Sequence, residues 1–181
     1  RVAPREFPVD ERDNTEISAD FTETSRDGST TLDGNIVIER HLMRVTADHA
    51  QYSKQDDEIT LTGNVYIDTQ NMSLNADSGT VSTNSEDTEE GPQGKFNKII
   101  FFIADSNMNG KAEVIRSGER SDGANHSTLI NASITSCNLQ KPDWLISADE
   151  IELDHDDEYG SAEDVVIRFK DVPFMYVPYM E

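Results

Sequence analysis

The stretch that decides the fold is a ten-residue alternation, Ile59-Thr60-Leu61-Thr62-Gly63-Asn64-Val65-Tyr66-Ile67-Asp68. Apolar or small side chains occupy positions 59, 61, 63, 65 and 67, and the positions between them are polar apart from Tyr66. A period of two places one set on one face of a β-strand and the other set on the opposite face. The stretch therefore predicts a strand with one buried face and one solvated face.

The same pattern occurs earlier in the chain, which indicates an internal repeat. Residues 30–39 alternate in the same way, and Gly34 precedes Gly63 by 29 residues. The dipeptide Ala-Asp also recurs, at positions 19–20, 47–48, 76–77, 104–105 and 148–149, with spacings of 28, 29, 28 and 44. Repeats of this length are typical of stacked structural units. The sequence predicts rungs of about 28 residues, each with two strands and two turns.

The alternation changes phase at the Ala-Asp dipeptides. After Ala47 the apolar positions resume at Ala50, and after Ala76 they resume at Gly79, one step out of phase. A shift of one residue turns every later side chain to the other face unless a bulge or corner absorbs it. We therefore expect the chain to bend at each Ala-Asp, with alanine inside the bend and aspartate accepting from local backbone N–H groups.

Composition and pattern together predict an all-β chain of one domain. The 181 residues contain 35% hydrophobic residues and show no sustained helical period. The longest apolar run, residues 99–104, is too short for a membrane-spanning helix. Residues 1–14, with two prolines, are expected to form an N-terminal tail, and residues 15–172 the β domain.

Charge and motifs exclude several classes of function. A net charge of −21 opposes binding to nucleic acid and to anionic lipid surfaces. The acidic runs at 86–90 and 154–158 lack the spacing of known calcium loops, and the four histidines are not at ligand spacing. No nucleophile elbow, P-loop or dinucleotide fingerprint is present. We expect no enzyme activity, no cofactor and no metal.

The C-terminal third carries the most specific sequence signal. It contains Ser136-Cys137, then Asp143-Trp144 and Ala148-Asp149-Glu150-Ile151, then Arg168-Phe169-Lys170, and it closes on Pro173-Phe174-Met175-Tyr176-Val177-Pro178-Tyr179. These phrases resemble the end of the periplasmic domain of the LptD family, the lipopolysaccharide (LPS) assembly proteins of Gram-negative outer membranes. The Gly-Asn and Leu-x-Ala-Asp repeats resemble the OstA-type β-jellyroll module. The resemblance covers roughly residues 15–181.

The resemblance implies a fold and a function. The fold is an open β-jellyroll of stacked antiparallel strands in two facing sheets, a β-taco, with residues 173–181 as a linker toward an outer-membrane barrel. The implied function is LPS transport at the periplasmic face of the outer membrane, with acyl chains inside the apolar groove and head groups in solvent. The implied partners are LPS, the periplasmic bridge protein LptA, which adds a strand at the edge near residues 15–25 and 30–38, and the lipoprotein LptE in the full complex.

The apolar positions in phase with the repeat are the candidate lining of that groove. They are Leu32, Ile36, Ile38, Leu61, Val65, Ile67, Leu74, Ile100, Phe102, Trp144, Ile146, Val165, Ile167 and Phe169. Two other interpretations stay open. In one, the same residues pack together as the closed core of a carbohydrate-binding or adhesin β-solenoid; in the other, the chain is a structural scaffold for the barrel.

The resemblance also implies that Cys137, the one cysteine of the chain, forms a disulfide with a cysteine of the barrel. In the longer protein that includes the barrel, replacing Cys137 with serine is then expected to change migration on a non-reducing gel. Unchanged migration of the serine variant would contradict the disulfide.

Overall fold

A computed structural model describes residues 16–40, 43–82, 94–119, 125–154 and 159–181. The predicted tail at 1–14 and the acidic run at 86–90 lie outside these residues, as does most of the acidic run at 154–158. None of the described residues belongs to a helix that is long and apolar enough to cross a membrane.

The described chain forms twelve antiparallel strands, which run in sequence order across one sheet. The strands are β1 (Glu16–Ser18), β2 (Phe21–Thr24), β3 (Thr30–Arg40), β4 (Met43–Ser53), β5 (Glu58–Thr69), β6 (Met72–Ser82), β7 (Gly94–Ile103), β8 (Met108–Glu119), β9 (Asn125–Thr135), β10 (Trp144–Asp154), β11 (Tyr159–Phe169) and β12 (Val172–Met180). From β3 to β12 each strand pairs with the next, while β1 and β2 both pair with β3. The alternating stretch at residues 59–68 lies within β5.

Bulges on β3 and β5, and a single left-handed residue on each of β7, β9 and β11, crease the sheet. The pairing of β5 with β6 shifts register between Thr62 and Val65, and the pairing of β3 with β4 shifts between Asp33 and Ile36. Residues in the left-handed region mark the crease on alternate strands: Asn35, Asn64, Lys98, Asn131 and Asp164. Bulges bend the strand that carries them, so the sheet divides into two arms on either side of the crease.

Each arm is a set of half-strands. Arm A comprises residues 16–18, 36–40, 43–47, 65–69, 72–76, 99–103, 108–112, 132–135, 144–148, 165–169 and 172–177. Arm B comprises residues 21–24, 30–33, 50–53, 58–62, 79–82, 94–97, 114–119, 125–130, 150–154, 159–163 and 179–180.

The two arms cover each other's apolar faces. Leu61 on arm B and Ile67 on arm A are both 1% exposed, and both belong to a single hydrophobic cluster. A single sheet has no second layer to bury one of its faces, so this burial requires that the arms face each other. The fold class is confirmed: the chain is all-β, an open antiparallel jellyroll whose two facing sheets are the arms of one creased sheet.

The bend at the Ala-Asp dipeptides is present, with one correction. Ala47, Ala76 and Ala148 are buried at the crease, but Ala104-Asp105 lies in the turn between β7 and β8. The crease position on β8 is Ala112-Glu113. The crease acids are therefore spaced 28, 29, 36 and 36 residues apart, because the turns of the later rungs are longer.

The crease acids also have different partners from those expected. Four of the five accept from a side chain across the crease. Asn64 Nδ2 donates to Asp48 Oδ2 at 2.8 Å, and Lys98 Nζ to Asp77 Oδ2 at 3.1 Å. Two further pairs repeat the contact, Asn35 with Asp20 at 2.8 Å and Asn131 with Glu113 at 2.7 Å. At the last rung the Tyr176 hydroxyl donates to Asp164. This ladder of polar contacts follows the outside of the crease.

Two segment assignments need revision. Residues 173–180, predicted as part of a linker, form most of β12, which pairs with β11 and extends the sheet. Residues 30–38 are not at the sheet edge, because β1 and β2 cover the outer side of β3.

Gly63 offers a test of the crease. Its φ is +73°, and a Cβ there would lie 2.6 Å from Asp48 Oδ2 and 2.9 Å from Asp48 Cβ. Gly63→Ala is expected to lower the free energy of unfolding by at least about 1–2 kcal/mol, the cost of the left-handed conformation for a residue with a Cβ. Urea unfolding followed by circular dichroism measures this change.

Gly118→Ala is the matched control for Gly63→Ala. Gly118 lies in β8, and a Cβ added there meets no heavy atom within 4 Å. Its unfolding free energy is expected to stay within about 0.5 kcal/mol of the wild-type value. Equal stability of the two variants would contradict the role of Gly63 at the crease.

Candidate functional site: an apolar trough between the arms

A continuous row of inward-facing residues runs along arm A. Each member is the paired neighbour of the next across the sheet, so the row passes through every rung of the stack from β1 to β12. Its members are Ile17, Ile38, Val45, Ile67, Leu74, Phe101, Gly110, Ile134, Ile146, Ile167 and Met175. Paired residues in a sheet point to the same face, so this row forms one wall.

A second row forms the facing wall on arm B. Its members are Leu32, Ala50, Leu61, Gly79, Phe96, Ile115, Leu129, Ile151, Ala162 and Met180. Between the walls, buried residues at the crease form the floor: Ile36, Ala47, Val65, Ala76, Ile99, Ala112, Ala132, Ala148 and Val165. The two walls and the floor enclose an apolar trough along the length of the stack.

The trough is closed in its central rungs and open at its C-terminal end. Leu74, Phe96 and Phe101 in the centre are 2%, 3% and 6% exposed. At the far end Met175 and Met180, the last members of the two rows, are 48% and 46% exposed. The described arms therefore touch in the middle of the stack and leave their apolar faces accessible from β10 onward.

Most of the predicted lining residues lie on the inner face. Ile36, Ile38, Leu61, Val65, Ile67, Leu74 and Val165 are buried there, and Leu32, Trp144, Ile146 and Ile167 are half-buried there. Phe169 pairs with Trp144 and so faces inward as well, although it is 53% exposed. All of these residues belong to the walls or the floor, or lie at the lip of the trough.

Ile100 and Phe102 are exceptions, and their assignment to the trough was wrong. Ile100 pairs with Asn75 and is 53% exposed, and Phe102 pairs with Ser73, so both face outward. The assignment counted the phase backwards from Ala104, which is not a crease position. The inward residues of β7 beyond the left-handed Lys98 are Ile99 and Phe101.

Sequence reasoning also missed the lining of the arm B wall after β6. Phe96, Ile115 and Leu129 are buried members of that wall. The signal for them was the phase change itself, which places inner residues at odd spacing across the crease. Without an Ala-Asp dipeptide on β8, that change was not recognised.

A depression of about 1460 Å³ lies on the other side of arm A. Its lining includes Tyr66 and Phe102 on the outer face and Cys137 in the turn after β9. Cys137 is half-buried as a residue, and Asn109 Nδ2 donates to its carbonyl oxygen at 3.1 Å. The cysteine is thus placed on the outside of the trough and not in its lining.

The backbone around Cys137 affects its ionisation. A hydrogen bond from the backbone N–H of Asp143 lowers the pKa of the Cys137 thiol below its ordinary value. Hydrogen bonds to sulfur favour the charged form, and the thiolate is the reactive species.

The fold and the trough define an open, creased β-jellyroll with an apolar interior. The chain belongs to the LptA/(LptD N-terminal domain) LPS transport protein family, whose sequence model matches residues 44–159. It is 26% identical over 174 residues to the LPS-assembly protein LptD of Alcanivorax borkumensis, covering 96% of this chain and 21% of that protein. It is 28% identical over 164 residues to LptD of Saccharophagus degradans, covering 91% and 18%.

The chain therefore spans about a fifth of the length of these relatives. Among solved structures it is similar to LptH from Pseudomonas aeruginosa, described as the LptA homologous periplasmic component of the LPS transport device. The TM-score is 0.32 at 13% identity, and the match covers 86% of each chain.

The lowered pKa of Cys137 predicts a pH dependence of its reactivity. In the folded chain, the rate of alkylation by iodoacetamide should reach half its maximum at a lower pH than in the same chain unfolded in urea, because folding favours the thiolate. Mass spectrometry of timed samples measures both profiles. A folded-state midpoint equal to or above the unfolded one would contradict this prediction.

Proposed function

We propose that this chain carries the acyl chains of LPS through the trough between its arms and passes them toward an outer-membrane barrel. The observation that carries the proposal is the pair of apolar rows, one on each arm, which continue through every rung from β3 to β12. Membership of the LPS transport family supports the same ligand.

The physical requirement is continuity of the apolar lining. Exposing an acyl chain of about twelve carbons to water costs on the order of 10 kcal/mol, at roughly 0.8 kcal/mol per methylene. A break in the lining would expose part of the acyl chain to water as it passes, and this exposure would raise the free energy of the lipid at that point. Both rows lack polar side chains along their whole length, so they meet this requirement.

The closed centre and the open end suggest how the trough is loaded. In the central rungs the arms bury their own apolar faces, as a trough without lipid must do to avoid water. An acyl chain entering between the arms would replace these contacts with similar ones. The crease, with its left-handed residues and its ladder of polar contacts, is the axis about which the arms would separate.

The head groups of LPS would remain outside the trough. The chain has a net charge of −21, which repels the phosphates of the head group from most of the protein surface. The acyl chains alone would then enter between the arms. This arrangement is expected on the periplasmic side of the outer membrane.

Partner binding would use the two edges of the open sheet. At the N-terminal edge, β1 and β2 are three and four residues long and contain only exposed residues. Ile17 there continues the arm A wall and is 51% exposed. A strand of LptA added at this edge would extend both the sheet and the trough. Edge strands with free backbone groups favour such pairing. Association with LptE stays a prediction.

The rival function, a carbohydrate-binding or adhesin module with a closed core, agrees only with the central rungs. A closed core would bury the wall residues of β10 and β11, whereas Ile146 and Ile167 are only half-buried there. The family match does not favour the rival either. The LPS conduit accounts for both the central and the terminal rungs.

A photocrosslinking experiment tests the proposal. Benzoylphenylalanine is placed at Ile146, which is half-buried on the arm A wall near the open end. It is expected to form a covalent adduct with LPS when a mixture of the purified chain and LPS is illuminated. The matched control carries the probe at Ile100, which lies on arm A but faces outward and is 53% exposed. Immunoblotting with an antibody to LPS measures the adduct yield of both variants.

The comparison between the two positions decides the outcome. Adducts from Ile146 with few from Ile100 would support transport inside the trough. Equal yields from both faces, or capture from Ile100 alone, would overturn the proposal.

A further inference from the structure

Each wall of the trough contains a single glycine in its central part. On arm B, Gly79 of β6 interrupts the apolar row between Leu61 and Phe96. On arm A, Gly110 of β8 interrupts the row between Phe101 and Ile134. A glycine in a strand interior weakens the strand and often marks a close approach of another group. Both glycines are buried, so a neighbouring side chain must cover their backbone.

The covering group is the same in both cases, a phenylalanine ring from the paired position on β7. A Cβ built on Gly79 would lie 2.1 Å from Phe96 Cδ1, and a Cβ built on Gly110 would lie 2.1 Å from Phe101 Cζ. Carbon atoms that are not bonded keep at least about 3.5 Å apart. Each ring therefore occupies the space that a side chain on the neighbouring strand would fill.

The position of the rings affects the width of the trough. Side chains in a strand ordinarily stand roughly perpendicular to the sheet, which for an inward phenylalanine points toward the opposite arm. Phe96 and Phe101 instead lean sideways over the glycines of their own walls, and they are only 3% and 6% exposed. They are also the two largest members of the rows, so their orientation decides how far the walls project into the trough at β6–β8.

We propose that Gly79 and Gly110 are the positions that set the clearance of the trough, because they let Phe96 and Phe101 lie flat against the walls. An alanine at either glycine raises the ring toward the opposite arm and narrows the path for an acyl chain. The inference rests on the proposed function, since clearance matters only if an acyl chain enters. It assigns a specificity role to two residues that carry no side chain of their own.

The test uses the 181-residue chain and a single-chain lipid of twelve carbons, laurate. The chain has one tryptophan, Trp144, which faces inward near the open end, so its fluorescence reports on ligand in the trough. Gly79→Ala and Gly110→Ala are each expected to weaken laurate binding by at least about tenfold, a change in binding free energy of roughly 1.4 kcal/mol. Photocrosslinking to LPS from position 146 in each variant gives a second readout.

Gly118→Ala is the matched control, because it makes the same chemical change on β8 where the added methyl group meets no heavy atom within 4 Å. It is expected to bind laurate as the wild type does. If the wild-type chain binds neither laurate nor LPS, the proposed function fails. If it binds both and the two alanine variants bind equally well, the clearance inference alone fails.

Paired substitutions separate ring displacement from general damage. In Gly79→Ala with Phe96→Leu, and in Gly110→Ala with Phe101→Leu, the smaller side chain leaves room for the new methyl group. Both double variants are expected to recover laurate affinity to within about threefold of wild type. Circular dichroism and the urea midpoint establish that each variant is folded.

The double variants keep the test decisive if a single variant does not fold. A folded double variant that remains as weak as its glycine substitution alone would overturn the inference, because no ring is then left to obstruct the trough. Recovery together with a normal urea midpoint would support it.

Discussion

The structure depends on one constraint: a single sheet with one apolar face must bury that face against itself. The described chain has no second layer, yet Leu61, Val65 and Ile67 are each 1% exposed. Hydrophobic burial can occur only if the two halves of every strand are turned toward each other. The crease that turns them is therefore as important to stability as the core it creates.

A small set of residue types lets each strand bend at the crease. Left-handed residues such as Asn64 turn the chain at the crease on odd-numbered strands, and buried alanines such as Ala76 leave space inside the bend on even-numbered strands. The polar ladder outside, for example Asn64 with Asp48, connects adjacent rungs without adding bulk to the interior. Because asparagine tolerates the left-handed region better than most residues with a Cβ, the Gly-Asn phrase suits this site.

Under the proposed function, the interior of the fold serves both stability and transport. The residues that bury the arms against each other in the central rungs are also the continuous walls along which a lipid would pass. The same contacts can serve both purposes because hydrophobic association is non-directional, so a hydrocarbon chain can replace an opposing side chain at little net cost. Toward β12 the walls are less covered, with Met175 48% exposed, and under the proposed function a lipid would have access there.

Much of this was determined by the sequence alone. Alternation with period two established the strands, its phase change at Ala47 and Ala76 located the crease, and most apolar positions were assigned to the correct face, because side-chain direction in a strand follows directly from sequence position. The face of Ile100 and Phe102 could not be read in this way, since the left-handed residue Lys98, in a strand with no Ala-Asp dipeptide at the crease, reverses the count. Only the tertiary structure decided which rungs are closed and which are open, and where Phe96 and Phe101 lie, because the distance between the arms depends on contacts between residues far apart in the chain.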